Sequence, residues 1–235
     1  MRRSASPLSI ALCLLLANGC SDGISRRTAA NVLSINGKVV FGSGERGEDF
    51  AAVTIKSKIH QGHRVRSSEG ASLDLQLVPG ALARLTGDSE ITVEELKLVK
   101  DGNETADGMR SRSARIRLNR GRILILFSQP DTSGSHLAVL AHDVTVSPDS
   151  DCLFSVWSDG ASTRVTCARD KVTVVGPAEA PVGIAAGYFQ QWPAGGPKPL
   201  VAAENAAAQI DIGESIEAGE RLLDQAIRLQ NRRPF

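Results

Sequence analysis

The feature of this sequence that most constrains its fold is the alternation of apolar and polar residues over residues 32–175. Apolar residues recur at every second position, as in the segments "SLDLQLV" and "GRILILF". A period of two puts one side of a β-strand in a core and the other side in solvent. Short clusters rich in Gly, Asp and Ser, such as "SSEG" and "SDGA", separate the segments. Many short strands joined by turns predict an all-β body: a sandwich, a roll or a solenoid-like stack.

One change of parity interrupts this alternation. The apolar residues Ile116 and Leu118 occupy even positions, whereas Ile123, Ile125 and Phe127 occupy odd positions, and Gly121 lies between the two sets. A bulge or bend at a glycine can shift the parity of a strand. We therefore expect a bend at Gly121 that keeps both halves on the core.

The N-terminus has the layout of an export signal. Two arginines follow Met1, and residues 8–17 form a nearly continuous apolar run. The run of about 10 residues is too short for a bilayer core, which needs about 20. Residues 1–19 are therefore predicted to be a signal peptide and not a retained transmembrane helix.

Cys20 follows this run and resembles the lipobox cysteine of bacterial lipoproteins, whose thiol receives a diacylglyceryl group and becomes the new N-terminus. Ala17 and Asn18 depart from the lipobox pattern, so ordinary cleavage with an incidental Cys20 is the alternative. Residues 20–31 are mostly small and polar and would form a flexible tether. We expect an extracytoplasmic protein, periplasmic and lipid-anchored (more at the outer membrane than the inner) or secreted.

Cys152 and Cys167 flank a predicted hairpin. A two-residue turn at Asp159-Gly160 would pair Phe154 with Val165 and the two cysteines with each other. Directly opposed residues have Cα atoms about 5.5 Å apart, which permits a disulfide. We expect a structural Cys152–Cys167 bridge outside the cytosol, and two small buried thiols are the alternative.

Short motifs in order along the chain are similar to those of the FecR family domain. They are Gly37-Lys38-Val39, residues 62–67, residues 73–77, Ile91-Thr92-Val93, residues 118–123, residues 144–148, Phe154-Ser155-Val156 and residues 171–174. His63 stands where the family has Asp, Asp151-Cys152 replaces Gly-Thr, and Asp170 replaces Gly. The resemblance covers residues 32–192 and implies a β-rich extracytoplasmic module. FecR-type regulators pair this domain with a cytoplasmic anti-sigma segment. In this sequence only the predicted export signal precedes the domain, so the resemblance implies a sensing or scaffold module and not the whole regulator.

The segment "RSRSARIRLNRGR" is rich in arginine. Arg115, Arg117, Arg120 and Arg122 are candidates for binding an anion, a phosphate on a lipid or an envelope polymer. A solvated strand face is the simpler interpretation, because these arginines alternate with apolar residues. The net charge of +1 and an aromatic content of 4% argue against nucleic acid as a partner.

Other polar clusters predict no catalytic, metal or cofactor site. Ser89 lies in a Gly-Asp-Ser sequence like that of some esterases, but a strand follows it where the nucleophile needs a strand-to-helix turn. Four histidines, at positions 60, 63, 136 and 142, lack metal-ligand spacing. The loop "DGNETADG" lacks the glycine and glutamate of a calcium loop.

The C-terminus is predicted to hold a linker over residues 193–213 and an amphipathic helix over residues 214–235. Ser215 would cap the helix, and its apolar stripe would comprise Ile216, Leu222, Leu223, Ala226 and Ile227. Docking on its own domain is favoured over binding a partner.

The sequence thus predicts a non-enzymatic envelope lipoprotein that acts in ligand sensing, signal relay or scaffolding. Its expected partners are an envelope protein or polymer and, through the lipid anchor, the membrane. The alternative is a module that binds an anionic glycan or lipid through the arginine strand, and a hydrolase is a distant third.

Overall fold

The computed structural model describes residues 24–43, 50–100, 109–129, 134–177, 180–193, 196 and 198–231. The predicted signal peptide, Cys20 and the loop "DGNETADG" lie outside these residues. The described part of the chain forms seventeen strands in one hydrogen-bonded sheet, followed by one α-helix.

The strands and the helix follow each other in this order: β1 (Ile24–Arg27), β2 (Ala29–Asn36), β3 (Val39–Gly42), β4 (Ala51–Ala52), β5 (Lys58–His60), β6 (Arg64–Ser67), β7 (Ser72–Val78), β8 (Ala81–Lys100), β9 (Met109–Phe127), β10 (Gly134–Ala141), β11 (Val144–Pro148), β12 (Cys152–Ser158), β13 (Thr163–Arg169), β14 (Lys171–Val175), β15 (Val182–Ala185), β16 (Tyr188–Trp192), β17 (Leu200–Val201) and α1 (Ala206–Asn231).

Strands β8 and β9 are the two longest strands and lie at the centre of the sheet. They have 20 and 19 residues and pair antiparallel with each other along their length. Residues 81–86 of β8 pair with β7, and residues 121–127 of β9 pair with β12. Beyond the bend, β8 pairs with β6 and then β1, while residues 111–118 of β9 pair in parallel with β10. Each long strand therefore belongs to two groups of strands.

These two groups are called wings here. The first wing contains β2, β5, β7, β12, β13, β16 and β17, and the second contains β1, β3, β4, β6, β10, β11, β14 and β15. Inward residues of both wings belong to one buried cluster, including Ile125 and Phe154 from the first wing and Ile116 and Val139 from the second. Burying each such side chain stabilises the fold by about 1.5–3 kcal/mol. The alternation in the sequence thus identifies the core, and the expectation of an all-β body is confirmed.

The bend between the wings lies at Gly121 and Ser89. The pairing of β8 with β9 shifts register between Thr86 and Glu90. Gly121 has φ +86°, and the fully buried Ser89 hydroxyl accepts the backbone N–H of Arg122 at 2.8 Å and donates to the carbonyl oxygen of Thr86 at 2.5 Å. The bend expected at Gly121 is present, and Ser89 supplies the hydrogen bonds that the interrupted ladder loses there.

The predicted N-terminal tether differs from the structure. β1 begins at Ile24 and lies antiparallel to the end of β8, with Ile24 opposite Lys100. β2 follows at once and pairs with β5 and β7. The residues from Ile24 onward are therefore part of the sheet, because both of these strands find partners that are distant in the sequence.

The register predicted for the cysteine hairpin is wrong. Ser158 pairs with Thr163, so the loop between β12 and β13 has four residues and not two. Its conformation is supported by Asp159, whose Oδ1 accepts the backbone N–H groups of Ala161 and Ser162 at 2.9 and 2.6 Å. As a result, Phe154 and not Cys152 lies opposite Cys167, and a bulge follows at Leu153.

Helix α1 begins at Ala206, well before the predicted start at residue 214. The side chain of Asn205 accepts the backbone N–H of Ala208 at 3.0 Å and caps the helix, whereas Ser215 is buried within it. The predicted linker thus contains β17 and the first turns of α1. The run of three alanines after Asn205 explains the early start, because alanine has the highest helix propensity.

Small residues let α1 approach the first wing. Ala218, Leu222 and Ala226 pack against Leu82, Leu124, Leu126 and Leu153. A Cβ added at Gly219 would lie 3.1 Å from a methyl carbon of Leu153. The predicted stripe is therefore only partly buried: Leu222 and Ala226 face the sheet, whereas Ile216, Leu223 and Ile227 are about half exposed.

Replacing Gly121 with alanine is expected to lower the free energy of unfolding by about 3 kcal/mol or more. The added Cβ would lie 2.5 Å from the Cα of Ser89 and 2.6 Å from the carbonyl oxygen of Asp88, so backbone would have to move. Urea denaturation, monitored by circular dichroism, would measure the change in the free energy of unfolding.

The control is Gly160→Ala, because Gly160 has φ +93° and no heavy atom within 4 Å of an added Cβ. It carries the left-handed backbone cost alone, about 1–2 kcal/mol. Equal losses of stability in the two variants would contradict the account of a crowded bend.

Candidate functional site

The arginine-rich strand β9 contributes arginines to two different surfaces, one before the bend and one after it. Arg115 and Arg117 precede Gly121 and lie on the outward side of the second wing, where their side chains are 53% and 43% exposed. Arg122 follows Gly121 and lies on the side of the first wing that α1 covers. Arg120 lies at the bend and pairs with Asp88 at 3.0 Å. The four arginines predicted as one anion site are therefore not brought together.

Arg115 and Arg117 share one carboxylate. The Nε atom of Arg115 lies 3.1 Å from Glu94 Oε2, and the Nε atom of Arg117 lies 2.6 Å from Glu94 Oε1. These three residues are called the Glu94 triad below. Two guanidinium groups and one carboxylate leave the triad with one excess positive charge.

A second triad on the same face was not predicted from the sequence. The Nε–H of Arg66 donates to Glu90 at 2.8 Å, and the Nε atom of Arg64 lies 3.3 Å from a Glu90 oxygen. These residues form the Glu90 triad. The centre of the Phe50 ring lies 4.3 Å from the Arg66 guanidinium carbon. The alternation Arg64-Val65-Arg66 was the available signal, because it predicts two arginines on the same outward face of a strand.

The sheet register sets the two triads side by side. Arg64 of β6 lies opposite Thr92 of β8, and Thr92 lies opposite Arg117 of β9. The Asn119 amide donates to both Glu90 and Thr92 at 3.1 Å, so it links the Glu90 triad to the residue that lies opposite Arg117. Adjacent strands are about 4.8 Å apart, so the Cα atoms of Arg64 and Arg117 are about 10 Å apart across the sheet.

Arg122 takes part in docking α1. Asp211, which is 3% exposed, accepts Arg122 Nη1 and Arg164 Nε at 2.9 Å each. Arg122 also pairs with Glu214 of α1, and Arg164 stacks on the ring of Trp157 at 5.0 Å. Because Asp211 is almost fully buried, its carboxylate needs both arginines as partners. A buried carboxylate without a partner would cost several kcal/mol of stability.

The two cysteines are buried neighbours in the core. Both are fully buried free thiols, and Cys167 Sγ lies 3.4 Å from the carbonyl oxygens of Arg169 and Asp170. The hydrogen bond with the Cys167 thiol, together with burial, raises the pKa of Cys152. Cys152 is therefore neutral at pH 7 and weakly nucleophilic. The disulfide stays a prediction, and the shifted register means that it would join residues that are not directly opposed.

Ser89, His60 and His63 make contacts that stabilise the fold. The Ser89 hydroxyl is fully buried in the bend. The His60 and His63 rings lie edge to face with centroids 5.5 Å apart, and His63 Nδ1 accepts the backbone N–H of His60 at 3.2 Å. Burial, and to a smaller degree the neighbouring His60, lowers the pKa of His63. Within the described ranges, no three His, Cys, Asp or Glu side chains are grouped so as to hold a metal ion.

Comparisons with known proteins leave the family open. No family model matches the chain, and no curated protein matches it. Two crystal structures, at 1.65 and 2.50 Å resolution, of a protein described as a "putative anti-sigma factor" from Parabacteroides distasonis ATCC 8503 are similar at 15% sequence identity, with TM-scores of 0.40 and 0.39. Each match covers 55% of this chain and 53% of the other, so the chain spans about half the length of those structures. The FecR resemblance remains a prediction.

Protonation of His63 is expected to destabilise the protein below about pH 6.5. Its folded-state pKa is lower than the unfolded value of 6.5, so the unfolded chain binds more protons between the two values. The free energy of unfolding should therefore fall as the pH drops from 6.5 through the lowered pKa. Urea denaturation at a series of pH values from 7.5 to about 5 would measure this slope.

His63→Gln should make the slope shallower, since glutamine does not titrate. His136→Gln is the matched control, because His136 is an exposed strand residue. An unchanged slope in His63→Gln would contradict the assignment.

Proposed function

We propose that the protein is a non-catalytic, lipid-anchored module of the bacterial envelope that senses a ligand, relays a signal or serves as a scaffold through a FecR-like β domain. Two wings around one shared core favour the sandwich among the architectures that the sequence left open. No helix within the described residues is both long and apolar enough to cross a bilayer. Attachment is assigned to Cys20, whose thiol would receive a diacylglyceryl group and which would become the N-terminus on removal of residues 1–19.

The observation that carries the FecR assignment is the backbone of Asp170. Asp170 stands where the family motif has Gly, and its φ is +62°. Left-handed backbone favours glycine, and aspartate is among the few other residues that tolerate it. The motif glycine Gly37 also has a positive φ, +75°, and an added Cβ would lie 2.9 Å from the Ala71 Cβ. Two positions where the motif has glycine, 37 and 170, thus have the backbone that favours glycine, whereas Asp151, which also replaces a motif glycine, does not have a positive φ.

A non-catalytic role is supported by the environments of the nucleophile candidates. The Ser89 hydroxyl is committed to backbone groups of the bend, and both core cysteines are fully buried. A nucleophile needs an adjacent base and access to substrate. The partners that we propose are an envelope protein or polymer and the membrane, and no cofactor is assigned.

Intact-mass analysis of the protein purified from its own envelope tests location and processing together. The expected mass is that of residues 20–235 plus a diacylglyceryl group and an amide-linked acyl chain, less two hydrogens for a Cys152–Cys167 bridge. Cys20→Ser is the control and should lose the acyl mass. Recovery of unacylated chain with Met1 from the cell interior would contradict the proposal.

Capture of a partner tests the sensing or scaffolding role. The anchored protein, cross-linked in cells and purified from detergent-solubilised envelope, is expected to retain one envelope protein or polymer in constant ratio. The purified partner should rebind the purified chain, and rebinding should survive Ser89→Ala in a folded variant. Ester hydrolysis that this substitution abolishes without unfolding the protein would contradict the non-catalytic role.

A further inference from the structure

One outward face of the second wing is strongly basic. Val93, Leu96 and Ile116 point into the core, so their strand neighbours point outward. The outward residues that form this basic face are Arg27, Arg64, Arg66, Lys97, Arg115 and Arg117, together with the carboxylates Glu90, Glu94 and Glu95. Six cations and three carboxylates leave three excess positive charges on one face of a chain whose net charge is +1.

Four arginines of this face bind a glutamate through Nε and leave their Nη groups on the far side of the guanidinium. In all four ion pairs of the Glu90 and Glu94 triads, the nitrogen nearest to the carboxylate is Nε. The Nη groups at the far end of each guanidinium can then donate to another acceptor. Arginine forks of this kind match the oxygens of a phosphate.

The charge of each triad matches one phosphodiester. Two guanidinium groups and one glutamate carry a net charge of +1, and a phosphodiester carries −1. The Cα atoms of Arg64 and Arg117 are about 10 Å apart, so we assign the two triads to two separate phosphodiester groups.

The start of the sheet relates this face to the predicted anchor. Arg27 of β1 lies opposite Lys97 of β8, and β1 begins at Ile24. Only residues 21–23 separate Ile24 from Cys20, and four extended residues reach at most about 14 Å. An acyl group on Cys20 would therefore hold this edge of the second wing close to the bilayer.

We propose that the basic face lies against a bilayer and binds its anionic phosphodiester headgroups through the Glu90 and Glu94 triads. The inference rests on the proposed membrane location and deepens it, because it gives the anchored domain a defined orientation. Each basic residue near an anionic surface strengthens binding. The face would thereby add a second attachment signal to the lipid.

Vesicle co-sedimentation of the full chain carrying Cys20→Ser tests the face without any acyl group. The preference for vesicles of phosphatidylglycerol and phosphatidylcholine over pure phosphatidylcholine is measured at low and at physiological salt. Apolar contacts of residues 1–19 are shared by all variants and both lipids, so the preference reports charge. We expect a preference of about a hundredfold at low salt, since each of the three excess charges contributes about 1 kcal/mol, and we expect added salt to weaken it.

The test variant is Arg115→Gln with Arg117→Gln, and it should lower the preference by roughly ten- to thirtyfold. The matched control is Arg221→Gln with Arg228→Gln, which removes two arginines from exposed ion pairs with Glu217 and Asp224 on α1. The control should change the preference less than about twofold, within the effect expected of scattered surface charge. Thermal unfolding checks that both variants are folded.

Equal losses in the two double variants would overturn the proposal, because net charge and not this face would be responsible. No preference for phosphatidylglycerol in the parent chain would also overturn it. Neither result bears on acylation of Cys20, which the intact mass decides separately, so the two proposals can fail independently.

Discussion

The passage of β8 and β9 from one wing to the other is the constraint on which the rest of the structure depends. Both strands must bend while keeping apolar residues on a single core. At Gly121 the positive φ and the missing Cβ let the chain pass against Ser89, whose hydroxyl bonds the backbone that the bend leaves unpaired. Because the parity of β9 changes there, Leu118 and Ile123 both point inward although five positions separate them.

The same bend explains why one arginine-rich strand has two roles. Before Gly121, Arg115 and Arg117 extend outward into solvent beside Glu94. After it, Arg122 reaches Asp211 of α1. Charges on the outward face remain half exposed and can meet a ligand, whereas the charges beneath α1 are already neutralised by buried carboxylate. Local arrangement, and not the near-zero net charge of the chain, therefore decides where this protein can attract an anion.

Helix α1 is attached by polar contacts at both ends and by apolar packing between them. Asp211 bonds Arg122 and Arg164 near its start, and Gln225 donates to Ser34, whose hydroxyl bonds the buried Asp74, near its end. Small residues in the middle bring the helix onto four leucines of the first wing. The polar contacts are directional and set where the helix lies, whereas the leucines supply most of the burial.

The sequence alone determined the all-β class, the inward residues and the bend at Gly121, because a period of two and its interruption are local properties of the chain. It also located the outward arginines of β9. Tertiary structure alone decided that β1 joins β8, that Arg64 and Arg66 lie beside Arg117, and that Asp211 meets Arg122, since these contacts join residues distant in sequence. The hairpin register and the start of α1 were missed for a related reason: the side chains of Asp159 and Asn205 accept backbone N–H groups in ways that residue spacing does not specify.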